Sequence, residues 1–232
     1  MNSMKSIKSQ QSGFTLVEIA IVLVIIGLLL GGILKGQELI NSAKGNNLIN
    51  LVRGLQTQVY AYQDRFKQQP GDDARADTNI TGATKATSAT LGNGLIEGFM
   101  FPPTSDVTGE TALIWQHLRL ANLATGPTAT SDAAYYPLHA LNGRMGINTA
   151  TAGQLEIIGM ATGGTQICLQ GLPGAFAKRL DAALDDGVSD AGAVRIKADV
   201  TPGASTALGT AISSTTPPGV VDGTLYTLCL VY

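Results

Sequence analysis

The sequence is short of charge, aromatic rings, cysteine and histidine. Of 232 residues, 14% are Asp, Glu, Lys or Arg and 5% are Phe, Trp or Tyr, with two cysteines and two histidines. Fifteen basic side chains against seventeen acidic ones leave a formal charge of −2, so there is no basic excess to hold phosphates and no nucleic-acid partner is expected. Little charge combined with 44% hydrophobic residues excludes a chain kept disordered by its own repulsion. Two cysteines cannot build an all-thiolate zinc site or a disulfide-dense scaffold. The histidines, His117 and His139, form no H-x-x-x-H or H-E-x-x-H spacing, and no G-x-S-x-G elbow or Walker loop occurs. The expectation is a protein that is not an enzyme.

What is present is concentrated at one end. Residues 14–34 hold 16 apolar residues in 21, interrupted by Thr15, Glu18, Gly27, Gly31 and Gly32. As a helix this run is about 30 Å long, the thickness of a bilayer's hydrocarbon core. Residues 1–13 carry Lys5 and Lys8 and no acid, which places the N-terminus in the cytoplasm and the rest outside. The run ends Gly31-Gly32-Ile33-Leu34-Lys35-Gly36, without the small-residue pattern that a secretory signal would present for cleavage, so the apolar segment is expected to stay. Glu18 is the odd residue: a carboxylate in an apolar span calls for a partner, and Ile21, Val22 and Ile25 offer none one or two turns downstream.

The string Gln11-Ser12-Gly13-Phe14-Thr15-Leu16-Val17-Glu18, followed by an unbroken apolar run, resembles the prepilin leader of type IV pilins and type II secretion pseudopilins. The resemblance implies cleavage between Gly13 and Phe14 by prepilin peptidase and N-methylation of Phe14. It also implies that Glu18 pairs with the Phe14 amine of a neighbouring subunit, and that an inner-membrane assembly platform and other pilin subunits are partners. Many pilins carry a proline where this chain has Lys35; here Gly27, Gly31, Gly32 and Gly36 form two G-x-x-x-G spacings, suited either to close helix packing or to local bending.

The expected organisation is a leader (1–13), a membrane or filament-core helix (14–34), an amphipathic continuation (35–69) and an exported domain (70–232). Leu48, Val52, Leu55, Val59, Tyr62 and Phe66 recur at spacings of three and four, one helix face that ends before Pro70-Gly71. That face suits packing on the chain's own domain or, less readily, a coiled-coil seam. Thr78, Thr81, Thr84, Thr87 and Thr90 mark an exposed loop. A helix is expected over 110–122 and another through Phe176, Leu180 and Leu184; strands are expected over 154–160, 165–169, 194–200 and 224–231. Pro70-Gly71-Asp72…Gly92-Asn93-Gly94, Glu110…Trp115-Gln116-His117-Leu118 and Leu184-Asp185-Asp186-Gly187 also look like stretches of one group of longer pilin-like proteins. The fold class is α+β, a long helix packed on an antiparallel sheet.

If the domain is exported it meets oxidising conditions, and Cys168 and Cys229 are then expected to pair, two free buried thiols being the competing reading. By analogy with pilins the disulfide would bound a surface region near the C-terminus. Asp181, Asp185, Asp186 and Asp190 gather around a glycine turn; Asp185, Asp186 and Asp190 are candidate calcium ligands, although acidic turns are ordinarily just solvated. No other cofactor is expected. The implied role is a pilus or pseudopilus subunit, held first in the inner membrane with its C-terminal domain in the periplasm. The alternative is a minor or tip pilin that binds a surface, DNA or a secretion substrate.

Overall fold

The computed structural model describes residues 13, 15–149, 157–158, 160–199, 209–210 and 219–232. The chain divides into two compact units, Met1–Ala43 and Lys44–Tyr232. Helix α1 (Leu16–Phe66) supplies residues to both. In the second unit its buried residues are Gly45, Leu48, Val52, Leu55, Val59 and Tyr62, the stripe that the spacing predicts, with Phe66 half-buried. This stripe packs into one apolar core with side chains of the sheet and of two further helices. Intramolecular packing therefore explains the repeat, and a coiled-coil seam is not needed. Gly45 belongs to the stripe because Arg179 lies across it: a Cβ there would sit 2.8 Å from the Arg179 Nε, whose guanidinium also donates to Asn46 Oδ1 at 2.9 Å. The helix ends at Phe66, slightly ahead of the proline, because Lys67 takes a left-handed φ of 57°.

The remaining elements are α2 (Ala76–Asn79), α3 (Glu110–Leu120), β1 (Met145–Thr149), β2 (Ile157–Ile158), β3 (Thr165–Pro173), α4 (Gly174–Leu184), β4 (Val194–Ala198), β5 (Gly209–Thr210) and β6 (Leu225–Val231). β1, β3, β6 and β4 form an antiparallel sheet in the order β1-β3-β6-β4, giving an α+β fold. Alternation sets the faces. Ile167, Leu169, Leu228, Leu230, Val194 and Ile196 point into the core shared with α1, whereas Cys168, Cys229 and Val231 meet Met100, Phe101, Ile157 and Met160 in a second cluster.

The strand expectations hold in part. Within 154–160 only Ile157–Ile158 is described as strand, paired in parallel with β5 rather than joining the main sheet. Residues 154–156, 159 and 200 lie outside the described residues. β1 lies outside the strands that the sequence pattern predicts. Gly146 is there because the backbone carbonyl of Met100 closes on that position, leaving no room for a Cβ.

Cys168 and Cys229 are directly opposed register partners in β3 and β6, and their sulfurs are bonded. The expected pairing is present; both cysteines are fully buried, and the 61-residue separation between them encloses α4 and β4. A one-residue slip would turn the two side chains to opposite faces, so the bond also fixes register. Chain entropy gives it at most about 4 kcal/mol.

α3 departs from its expected one-sided burial: residues 110–119 are all buried. Its polar side chains hold loop backbone. The Gln116 amide accepts from Thr84 N at 2.8 Å and donates to Thr128 O at 3.1 Å, and Arg119 Nη1 donates to the carbonyls of Pro127 and Tyr135. His117 Nδ1 accepts from Gly71 N at 2.9 Å while Nε2 contacts Thr84 O at 2.8 Å. A carbonyl can only accept, so Nε2 carries the proton and the ring is neutral. His139 repeats the pattern between Leu141 N and Gln170 O. The periodic threonines 78, 81, 84, 87 and 90 are all exposed, as expected.

Two outcomes follow from this packing. Leu48 and Leu39 lie on one helix but are 0% and 62% exposed. In thermal unfolding of the full chain in mild detergent, Leu48→Ala costs about 2–5 kcal/mol, whereas Leu39→Ala stays within about 0.5 kcal/mol. For His117, burial holds the pKa below its usual value. A depressed histidine stabilises the fold above its unfolded pKa of about 6.5, and that contribution is lost as pH falls, at up to about 1.4 kcal/mol per pH unit. His117→Gln is therefore less stable than the native chain at pH 8, and the gap narrows between pH 7 and 5 when both are unfolded in parallel.

Candidate functional site

The N-terminal segment concentrates the unusual chemistry. Thr15 is the last residue before α1, and Thr15-Leu16-Val17-Glu18 has the spacing of a capping box. Glu18 N donates to Thr15 Oγ1 at 3.3 Å, while Thr15 N and Thr15 Oγ1 both donate to Glu18 Oε2, at 2.8 and 2.7 Å. The carboxylate thus closes the first turn of its own helix, where the helix dipole also favours a negative charge. Sequence reasoning singled out Glu18 for its isolation and overlooked Thr15, although the T-x-x-E spacing carried the signal. Both bonds land on Oε2.

Beyond this cap the first part of α1 is exposed among the described residues. Fourteen large apolar side chains from Leu16 to Leu34 are 45–91% exposed. α1 includes a stretch long and apolar enough to cross a membrane, and none of it is buried. The helix runs without a break through Gly27, Gly31, Gly32 and Gly36, and a Cβ at any of these would meet nothing within 4 Å. Gly45 sits under Arg179; these four glycines accommodate nothing in their own chain. An exposed ion pair of 2.6 Å, Lys35 to Glu38, follows the run. Gly13 is exposed, while Phe14, Lys5 and Lys8 lie outside the described residues.

The other acidic residues divide into two groups. Asp72 and Asp73, expected as plain turn residues, are fully buried. Asp72 accepts from Gly92 N and from Gly94 N, the latter at 2.7 Å, so its carboxylate joins the Pro70-Gly71-Asp72 and Gly92-Asn93-Gly94 turns. Asp73 accepts from the Tyr62 hydroxyl at 3.0 Å and from Asn79 Nδ2 at 3.2 Å. Glu110 accepts from Glu97 N at 2.7 Å. Burial pushes the Asp72 and Glu110 carboxyls above their usual range, against the backbone N–H bonds that lower them. In the second group, carboxylate oxygens of Asp181, Asp185 and Asp186 lie within 4.8 Å of one another. Asp190, also expected near this turn, is not among the three. Both histidines commit both ring nitrogens to backbone groups, so neither stands ready as a general acid or base.

No curated protein matches the chain. Residues 8–34 match the family model described as the prokaryotic N-terminal methylation motif. That match covers Gly13, Thr15, Glu18 and the exposed apolar start of α1: the N-terminus of this chain is a type IV pilin-like prepilin segment.

Proposed function

We propose that the chain is a structural subunit of a type IV pilus or pseudopilus. The observation that carries this reading is the methylation motif leading into an apolar stretch of α1 of which nothing is buried among the described residues. Fourteen large apolar side chains left in water would forfeit on the order of 20–40 kcal/mol, more than the 5–15 kcal/mol that holds a typical domain folded. Something outside the chain must cover them. Lipid does so first: the helix spans the inner membrane with its N-terminus in the cytoplasm and the C-terminal unit in the periplasm. Prepilin peptidase cuts between Gly13 and Phe14, and Phe14 is N-methylated. Neighbouring spans then replace lipid at little hydrophobic cost, with close packing as the gain.

The open glycines fit that exchange, because their bare backbone is available to another helix. Glu18 fits it as well. Its Oε2 is engaged by Thr15 in its own chain, which leaves Oε1 for a neighbour's Phe14 ammonium. In a low dielectric such a pair forms only at short range and so selects one axial offset between subunits. An assembly platform in the inner membrane and further pilin subunits are the partners this role requires.

The test is Glu18→Ala, expressed at native level. Removal of residues 1–13 continues, since the cut depends on Gly13, while incorporation into sheared filaments falls at least about tenfold because the ammonium loses its partner. Normal incorporation of the variant would show that Glu18 does not set subunit register.

A further inference from the structure

Arg144, the residue just ahead of β1, is a half-buried cation with no anion beside it. Its guanidinium carbon lies 4.9 Å from the centre of the Tyr136 ring and 6.0 Å from that of Phe101, and Nη2 donates to the Pro102 carbonyl at 2.6 Å. Its Nε is buried without a partner. Among the described residues no carboxylate forms an ion pair with Arg144. Tyr136 donates to the backbone carbonyl of Asp106 at 2.7 Å, but the Asp106 carboxylate accepts from Thr108 N and Gly109 N, at 3.2 and 2.8 Å. Burial lowers the Arg144 pKa. A guanidinium stays charged even so, and here its charge is held partly out of water without a counter-charge.

The surface around this cation is apolar and fixed. A cavity of about 380 Å³ is lined by Arg144 together with Ala133, Ala134, Pro137 and Leu138. A second cavity, of about 270 Å³, is lined by Arg144 with Leu141 and Leu225. Leu138 and Leu225 are 56% and 40% exposed, so each cavity has an apolar side chain at its rim. Leu138 and Arg144 face each other as antiparallel bridge partners across a short turn. Buried His139 holds that turn. Its N donates to Gly143 O at 3.0 Å, its Nδ1 accepts from Leu141 N at 3.2 Å, and its Nε2 donates to Gln170 O of β3 at 2.8 Å. At Gly143 the Gln170 carbonyl leaves no room for a Cβ. The turn is therefore ordered in advance, and a ligand bears little of that cost.

We propose that Arg144 and the two cavities it lines form a docking site for an extended segment of a partner protein that carries a carboxylate flanked by apolar side chains. Charge complementarity selects the carboxylate. Nη1 makes no hydrogen bond among the described residues, and an acid placed against it supplies the missing counter-charge. One cation answers one acid; a nucleic acid, with a phosphate at every nucleotide, would need several. A free inorganic anion would leave both apolar cavities unused, whereas a peptide fills them with its neighbouring side chains. Burial against Leu138 and Leu225 supplies affinity, and the guanidinium supplies orientation and selectivity. A guanidinium already stacked on a ring and partly desolvated suits this better than a hydrated lysine. The site is separate from Glu18 and from the apolar start of α1, so its failure would leave the filament reading intact.

The probe is a random heptapeptide library displayed on phage and selected on the full chain in mild detergent. Selected peptides are then synthesised and their Kd is read by fluorescence polarisation. The expected consensus is an Asp or Glu with apolar neighbours. Arg144→Gln binds such a peptide at least about tenfold more weakly, and Arg144→Lys, which keeps the charge without the planar fork, recovers part of the loss. In Arg144→Gln, changing the peptide's acid to its amide has little further effect, because the two groups act as a pair. Should Arg144→Gln fail to unfold cooperatively on heating, Leu138→Asp is read instead. That exposed position then sets a like charge against the peptide and weakens binding at least about tenfold. The proposal is overturned if no peptide is enriched, if the enriched peptides lack an acid, or if the variant read binds them as tightly as the native chain. Self-association of the native chain that Arg144→Gln abolishes would assign the surface to a second copy and overturn it as well.

Discussion

Residues 16–34 form an apolar helix whose large side chains are exposed, with none of its membrane-length stretch buried among the described residues. The second unit is different in kind. There α1 buries one stripe, the sheet is covered on both faces, a disulfide joins its two central strands, and most buried polar groups have named partners. That unit folds on contacts it owns. The first unit leaves its apolar surface uncovered among the described residues, and the proposed role has lipid and then other subunits cover it. In that proposal, anchoring and assembly are two answers to the same exposed surface.

A single helix carries both conditions, and its glycines show where one gives way to the other. Gly27, Gly31, Gly32 and Gly36 face open space; Gly45 is filled by Arg179. The small residue serves the same physical purpose in both places, allowing close approach, but only Gly45 receives its partner from the same chain. Glu18 is the polar counterpart. It is satisfied locally by Thr15, which makes a carboxylate tolerable at the start of an apolar helix, and both bonds fall on one oxygen, Oε2.

Periodicity and local pattern were legible wherever the cause was local. The 48–62 stripe, the helices at α3 and α4, and the strands that carry Cys168 and Cys229 follow from spacings of three to four or of two. Features set by distant partners were not legible in the same way. Asp72 and Asp73 look like turn residues until the turn at Gly92–Gly94 and the hydroxyl of Tyr62 come to meet them. The site of the disulfide depends on strand order, which no cysteine count contains. β1 was missed because its glycine serves an approaching carbonyl rather than a turn.

The central claim is that the apolar helix becomes the N-terminus of a processed, assembly-competent subunit. Intact mass and N-terminal sequencing of the protein recovered from membranes test it most directly. The account predicts a chain that starts at Phe14 with a methylated amine. A chain that retains Met1 and an unmodified leader would contradict it.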